Sequence, residues 1–278
     1  MEIWHGADPV REPLCPKCRL TMTPLGDLRS ARLALVTGTS SGIGSALARL
    51  LLERSWTVVG VARHPAEIDH ARYRHLVLDL ADAARAATSV EQELAPLVAD
   101  PHWERIGLVN NAASADLLTS VEHIDPAALL RLYAVNTAAP IWLMGFVVRQ
   151  SPPRAVVRIV NVSSGAAVGA FPGLAAYGSS KAALRMAGMV LAAELASPLR
   201  RLPAPPDVAI LSYEPGIVDT PMQTLARSQR PESFPSAHLF QDFAARGVLV
   251  PPEAPSAEIL AFLESGPQPG FTERRLGS

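Results

Sequence analysis

The stretch LALVTGTSSGIG, residues 33–44, decides the fold. Its first four residues are an unbroken apolar run, the pattern of a strand buried on both faces. A Gly/Ser turn follows, and from Ile43 to position 52 apolar residues recur at helical spacing. Gly38 permits a sharp exit from the strand, Gly42 lets the backbone approach a pyrophosphate, and Gly44 lets the new helix pack close to the sheet. The spacing G-x-x-x-G-x-G differs from G-x-G-x-x-G but serves the same purpose, so Gly38, Ser40, Ser41, Gly42, Ile43 and Gly44 are the candidate phosphate cradle.

Outward from this unit, the apolar pattern predicts strands at 56–61, 75–78, 106–109, 156–162 and 208–211, and helices at 91–98, 126–148 and 179–195. Strands alternating with helices imply right-handed crossovers and an α/β, doubly wound parallel sheet, a Rossmann fold. Past the sixth strand, 236–248 places Leu239, Phe240 and Phe243 on one face and ends at Gly247, a C-cap residue. Pro251, Pro252 and Pro255 separate it from a last short helix around Ile259, Leu260 and Leu263. The sequence thus predicts a small helical lid over the carboxyl ends of the strands. Residues 31–278 form one catalytic domain, and 1–30, broken by Pro9, Pro13, Pro16 and Pro24, form an extension expected to be disordered.

Composition narrows the function. With 49% hydrophobic residues the chain can bury a sizeable core, and a formal net charge of -1 gives no electrostatic case for nucleic acid or an anionic membrane. No apolar run approaches the roughly 20 residues that span a bilayer. Glu2, Asp8 and Glu12 with no apolar h-region do not read as a signal peptide, so a cytoplasmic enzyme is expected. Cys15 and Cys18 resemble half a zinc knuckle, but even with His5 they give too few ligands for structural zinc, and no metal site is predicted.

Of the 25 basic residues only Lys17 and Lys181 are lysines. A chain that uses arginine elsewhere retains lysine where a compact ammonium is needed, which singles out Lys181. Tyr177 precedes it by one helical turn, so the two share a face. A nearby ammonium stabilises an ionised phenol and would let it act near neutral pH. Ser164 closes a buried strand upstream of this pair. At the end of the second strand Ala62 offers no carboxylate for a ribose 2′-hydroxyl, and Arg63 is placed to meet a 2′-phosphate, which predicts NADPH over NADH. Asp79 either accepts from the adenine amino group or caps a helix.

In order, residues 37–44, Asn110-Asn111-Ala112, Asn136, Ser164, Tyr177-Gly-Ser-Ser-Lys181 and Pro215-Gly216 resemble the short-chain dehydrogenase/reductase family over 31 to about 265. The resemblance implies Tyr177 as general acid for carbonyl reduction, Ser164 polarising the substrate oxygen, and Lys181 on the nicotinamide ribose lowering the tyrosine pKa. It further implies that Asn136 holds a relay water, and that Asn110, Pro215, Gly216, Val218 and Thr220 join the cofactor site. Residues 161–173 and 214–227 resemble the benzil reductase and sepiapterin reductase branch. Sepiapterin reductases grip the pterin with an aspartate near the C-terminus, where this chain offers Gly270 beside Phe271, so a diketone or aryl ketone is the better fit. Ala166, Ala167, Val168, Phe171, Leu174, Met222 and Phe240 make an apolar substrate wall that suits a neutral carbonyl compound. The helix from 179 is apolar on more than one face, through Leu184, Met186, Met189 and Val190 among others, which with the resemblance predicts a homodimer. A non-catalytic NADPH-sensing protein is the alternative, but it would have no use for the tyrosine–lysine pair.

Overall fold

Strand β1 (Arg32–Thr37) lies mid-sheet because its apolar run can be covered on both faces: Leu33, Ala34, Leu35 and Val36 are all buried. In this computed structural model, which describes residues 30–198 and 206–278, β1 pairs with β2 (Thr57–Ala62) on one side and β4 (Arg105–Asn110) on the other. Strand β3 (Tyr73–Val77) forms the outer edge beyond β2, while β5 (Val156–Val162), β6 (Asp207–Glu214) and β7 (Phe271–Arg275) extend the sheet the other way. All pairings are parallel, in the order β3-β2-β1-β4-β5-β6-β7. The chain runs outward from β1 to β3, then returns to β4, so the crevice opens at the carboxyl ends of β1 and β4. The extension with Cys15, Cys18 and Lys17 lies outside the described residues.

Helices cover both faces. Helix α1 (Gly42–Glu53) and helix α8 (Glu253–Leu263) pack on one side around Trp56, Leu47 and Phe262. On the other lie α2 (Ala83–Val98), α4 (Ala139–Gln150) and α5 (Ala175–Ala196), which bury Leu94, Phe146 and Leu184. Helix α3 (Pro126–Tyr133) leads through a π-helical turn, Ala134–Ala138, into α4. Together these segments are long and apolar enough to cross a membrane by length and composition, but Leu143, Met144, Phe146 and Val147 pack into the sheet core. Over the crevice sit α6 (Pro221–Ser228) and α7 (Ala237–Ala245). The C-cap expected at Gly247 is present: Gly247 has φ +64, its N–H bonds the Ala244 carbonyl, and that of Val248 bonds Phe243.

Several expected boundaries move. Helix α2 starts well before 91, because Asp82 caps it by accepting from the Arg85 N–H at 3.1 Å and its alanine-rich first turns have propensity without an apolar stripe. Helix α5 starts before 179, so both Tyr177 and Lys181 lie inside it. The third strand comes earlier, at Tyr73, and the sixth runs on to Glu214. The lid has two helices, and the sheet has a seventh strand that the pattern did not predict.

Candidate active site

At the β1–α1 turn two glycines hold positive φ, Gly38 at +77 and Gly42 at +54. Gly44 is required by proximity: a Cβ there would lie 2.2 Å from the Gly38 carbonyl oxygen. The turn is tied to its neighbours by the Gly38 N–H to the Val61 carbonyl at 2.7 Å and by Asn111 Nδ2 to the Thr37 carbonyl at 2.9 Å. Thr37 Oγ1 in turn accepts from the Asn111 and Ala112 N–H groups at 3.0 and 2.9 Å. No side chain caps α1 at Ser41 and its first turn carries no acid, so its N–H groups face the crevice as an anion site. A cleft of about 590 Å³ runs from this turn between β1 and β4 to the lid. Gly38, Ser40, Ser41, Gly42, Ile43, Arg63, Asp79, Ser164, Tyr177, Lys181, Pro215, Gly216, Val218 and Thr220 all line it. A glycine cradle at a helix N-terminus, at one end of so long a cleft, fits a dinucleotide.

Three of the expected catalytic and cofactor residues lie off the cleft wall: Gly44, packed against the Gly38 carbonyl, Asn110 and Asn136. The buried Asn110 donates through Nδ2 to Asn161 Oδ1 at 2.9 Å, and it is the neighbouring Asn111 that faces the cleft. Asn136 is buried in the π turn, where its Oδ1 accepts from the Ser114 N–H at 2.7 Å and its Nδ2 donates to the Ser114 carbonyl and to Ser180 Oγ. That amide is spent on fastening the β4 exit loop to α5. The helix cap belongs to Asp82, leaving Asp79 on the cleft wall, where its Oδ1 accepts from the Ala81 N–H at 2.9 Å.

The catalytic candidates meet at the far end. Ser164 follows β5, and its Oγ accepts from the Ala166 N–H at 3.2 Å. Lys181 is buried; its Nζ donates to the Val162 carbonyl at 2.7 Å and lies 5.7 Å from the Tyr177 ring centre. Burial pushes Tyr177 up to about 12, opposed by a hydrogen bond with Ser164, and pushes Lys181 down to about 8. The expected lowering of Tyr177 by the ammonium does not appear: burial dominates, and it is Ser164 that opposes it. At neutral pH the phenol keeps its proton and the amine its charge.

The lid side of the cleft is apolar, with Leu118, Leu174, Met222, Leu225, Ala226 and Phe240. Phe240 packs on Phe234 and Phe243 at ring-centre distances of 5.5 and 6.0 Å. Gln223 stands on this wall with its Oε1 buried and without a partner among the described residues. Ala166, Ala167, Val168 and Phe171 do not line the cleft, and Val168 is 78% exposed.

A parallel Rossmann sheet whose cleft joins a glycine cradle to a serine, a tyrosine and a lysine points to an oxidoreductase. The chain belongs to the short chain dehydrogenase family, which it matches over residues 32–231 and whose enzymes use NAD or NADP. It is 30% identical over 239 residues to the benzil reductase ((S)-benzoin forming) of Bacillus subtilis, covering 86% of this chain and 96% of that one. It is 29% identical over 265 residues to the sepiapterin reductase of Xenopus tropicalis, covering 88% and 95% of the two chains. Its fold is similar to the crystal structure of a short chain dehydrogenase/reductase from Saccharomyces cerevisiae, with a TM-score of 0.74 and 28% identity over 89% of this chain and 96% of the other.

Proposed function

We propose that the chain is a cytoplasmic, homodimeric, NADPH-dependent reductase of neutral apolar carbonyl compounds, with Tyr177 as the general acid. The observation that carries this reading is the meeting of Ser164, Tyr177 and Lys181 at one end of a cleft whose other end holds the glycine turn and Arg63. When bound, the cofactor supplies the hydride. Tyr177, kept protonated by burial, gives its proton to the carbonyl oxygen, and Ser164 Oγ fixes that oxygen with a second hydrogen bond. Lys181 holds its charge at neutral pH, near the nicotinamide ribose and behind the phenol. Asn136 would hold a relay water through its carbonyl, since Pro140 has no N–H to serve as that carbonyl's regular helical donor. Arg63 would pair with the 2′-phosphate. Met186, Met189 and Val190, exposed on α5, would be covered by the second subunit.

The test is NADPH oxidation with benzil, other aryl diketones, quinones, aldehydes and sepiapterin. Aryl diketones should be turned over fastest, by analogy with the Bacillus subtilis relative. Faster turnover of sepiapterin would move the activity to the pterin side. Dinucleotide binding with no reduction of any carbonyl class would leave the sensor reading.

A further inference from the structure

Behind the glycine turn, outside the cleft, buried and half-buried polar side chains form a connected group. Thr39 is fully buried, and its Oγ1 lies 3.1 Å from the Tyr73 hydroxyl, which lies 2.8 Å from Nδ1 of His75. Tyr73 and His75 belong to the edge strand β3, so the phenol must cross β2 to reach Thr39. It crosses at Gly60, where a Cβ would sit 2.2 Å from the Tyr73 oxygen and 2.4 Å from Thr39 Oγ1. Residue 60 is glycine for this passage. His75 pairs with Gly60 and Val77 with Ala62, next to Arg63; the Ala62 and His64 carbonyls act on the His75 ring, and its Nε2 is buried with no partner at hydrogen-bonding distance. Burial holds His75 below and Tyr73 above their ordinary pKa values, which keeps both neutral at pH 7.

We propose that Tyr73 and His75 are positioning residues of the dinucleotide site, forming with Thr39 a half-buried strut that fixes the glycine turn relative to the segment carrying Arg63. The hydrogen-bond order follows from the donor inventory. In the tautomer with its hydrogen on Nε2 the imidazole accepts at Nδ1, so Tyr73 gives its one hydrogen to His75 and accepts from the Thr39 hydroxyl. The Nε2 hydrogen is then buried with no partner among the described residues. No member touches the reacting atoms. The strut acts by ordering the pyrophosphate and adenosine ends of the site before the ligand arrives, which lowers the ordering cost of binding.

The inference rests on reading the cleft as a nicotinamide dinucleotide site, and the test separates the two. Full-length wild type, Tyr73→Phe, His75→Leu and His75→Asn are titrated with NADPH and with NADH by calorimetry. kcat at saturating cofactor and Tm are measured alongside. Tyr73→Phe and His75→Leu strand buried partners and should weaken both dinucleotides about tenfold, with saturating kcat within about twofold of wild type. His75→Asn, whose amide can take the place of Nδ1, should recover most of the affinity. Thr39→Ser and Thr39→Val provide a second pair, with serine binding tightly and valine weakly, should Tyr73→Phe fold poorly. Wild-type binding with Kd unchanged across these variants, whatever happens to Tm, would overturn the strut. Wild type that binds neither dinucleotide would overturn the reading of the cleft itself.

Discussion

At the glycine-turn end of the cleft the recognising groups are mainly main chain, whereas at the catalytic end they are side chains. Gly38, Gly42 and Gly44 contribute backbone, and Gly38 is tied by its N–H to the Val61 carbonyl and by its carbonyl to Asn111 Nδ2. Ser164, Tyr177 and Lys181 contribute an oxygen, a phenol and an amine, held by a strand end, a helix turn and burial. The first arrangement tolerates changes of side chain but almost none of backbone. The second depends on single atoms, so it should break at single substitutions.

The largest effect should come from Tyr177→Phe, which removes the proposed proton donor but leaves the cradle intact. kcat for carbonyl reduction should fall by roughly 10²–10⁴-fold while the NADPH Kd stays within a few-fold. A comparable loss of binding would mean that the two ends are not separable. Lys181→Arg should come next. Its guanidinium keeps the charge but cannot occupy the compact site against the Val162 carbonyl, so turnover should drop about 100-fold and cofactor affinity should fall as well. Steady-state kinetics beside a binding titration would show whether both change.

Arg63→Ala examines the side-chain component of the other end. Loss of a charge-assisted bond to the 2′-phosphate should cut the preference for NADPH over NADH about thirtyfold in kcat/KM, leaving NADH kinetics nearly as they were. The pH dependence of binding should be milder. Lys181, pushed down to about 8, is cationic below that pH and neutral above it, so the Kd for an anionic dinucleotide should be flat at lower pH and rise beyond 8. The rise should be at most about tenfold between pH 7 and 9, and Lys181→Met should abolish it. Tyr177, pushed up to about 12, adds nothing in this range. The smallest effect belongs to the lid: Phe240→Ala removes one ring of the wall, and substrate KM should rise about three- to fivefold with kcat little changed.

What could be read from the sequence follows the same division. The strand–turn–helix at 33–52 was legible because burial on both faces and the glycine spacing are local properties. Ser164, Tyr177 and Lys181 were legible because one helical turn and one strand end bring them together. Asn111 was passed over for Asn110, since the two are adjacent and only the direction of the side chain separates them. Thr39, Tyr73 and His75 left no periodic signal; their contact depends on strand register across Gly60. The π turn at Asn136 was hidden inside a continuous apolar helix, with Pro140 the one available hint. Strand β7 was missed because an edge strand need not alternate apolar with polar, and 273–275 are Glu, Arg and Arg, all exposed.

That last strand has a consequence for how the molecule behaves in a crowd of its own copies. An open sheet ends in a row of unpaired N–H and C=O groups, a template for any other extended chain. Here the row beyond β6 is covered by five residues whose outer members carry charge, with Glu273 bonded to Arg185 and Arg275 to Glu214. A strand arriving from another copy would have to desolvate those ions in order to pair. Without β7, the backbone of Ile210, Leu211 and Tyr213 would be bare along one side. A chain cut before Phe271 should therefore fail first by precipitating, at concentrations where the full chain stays dispersed.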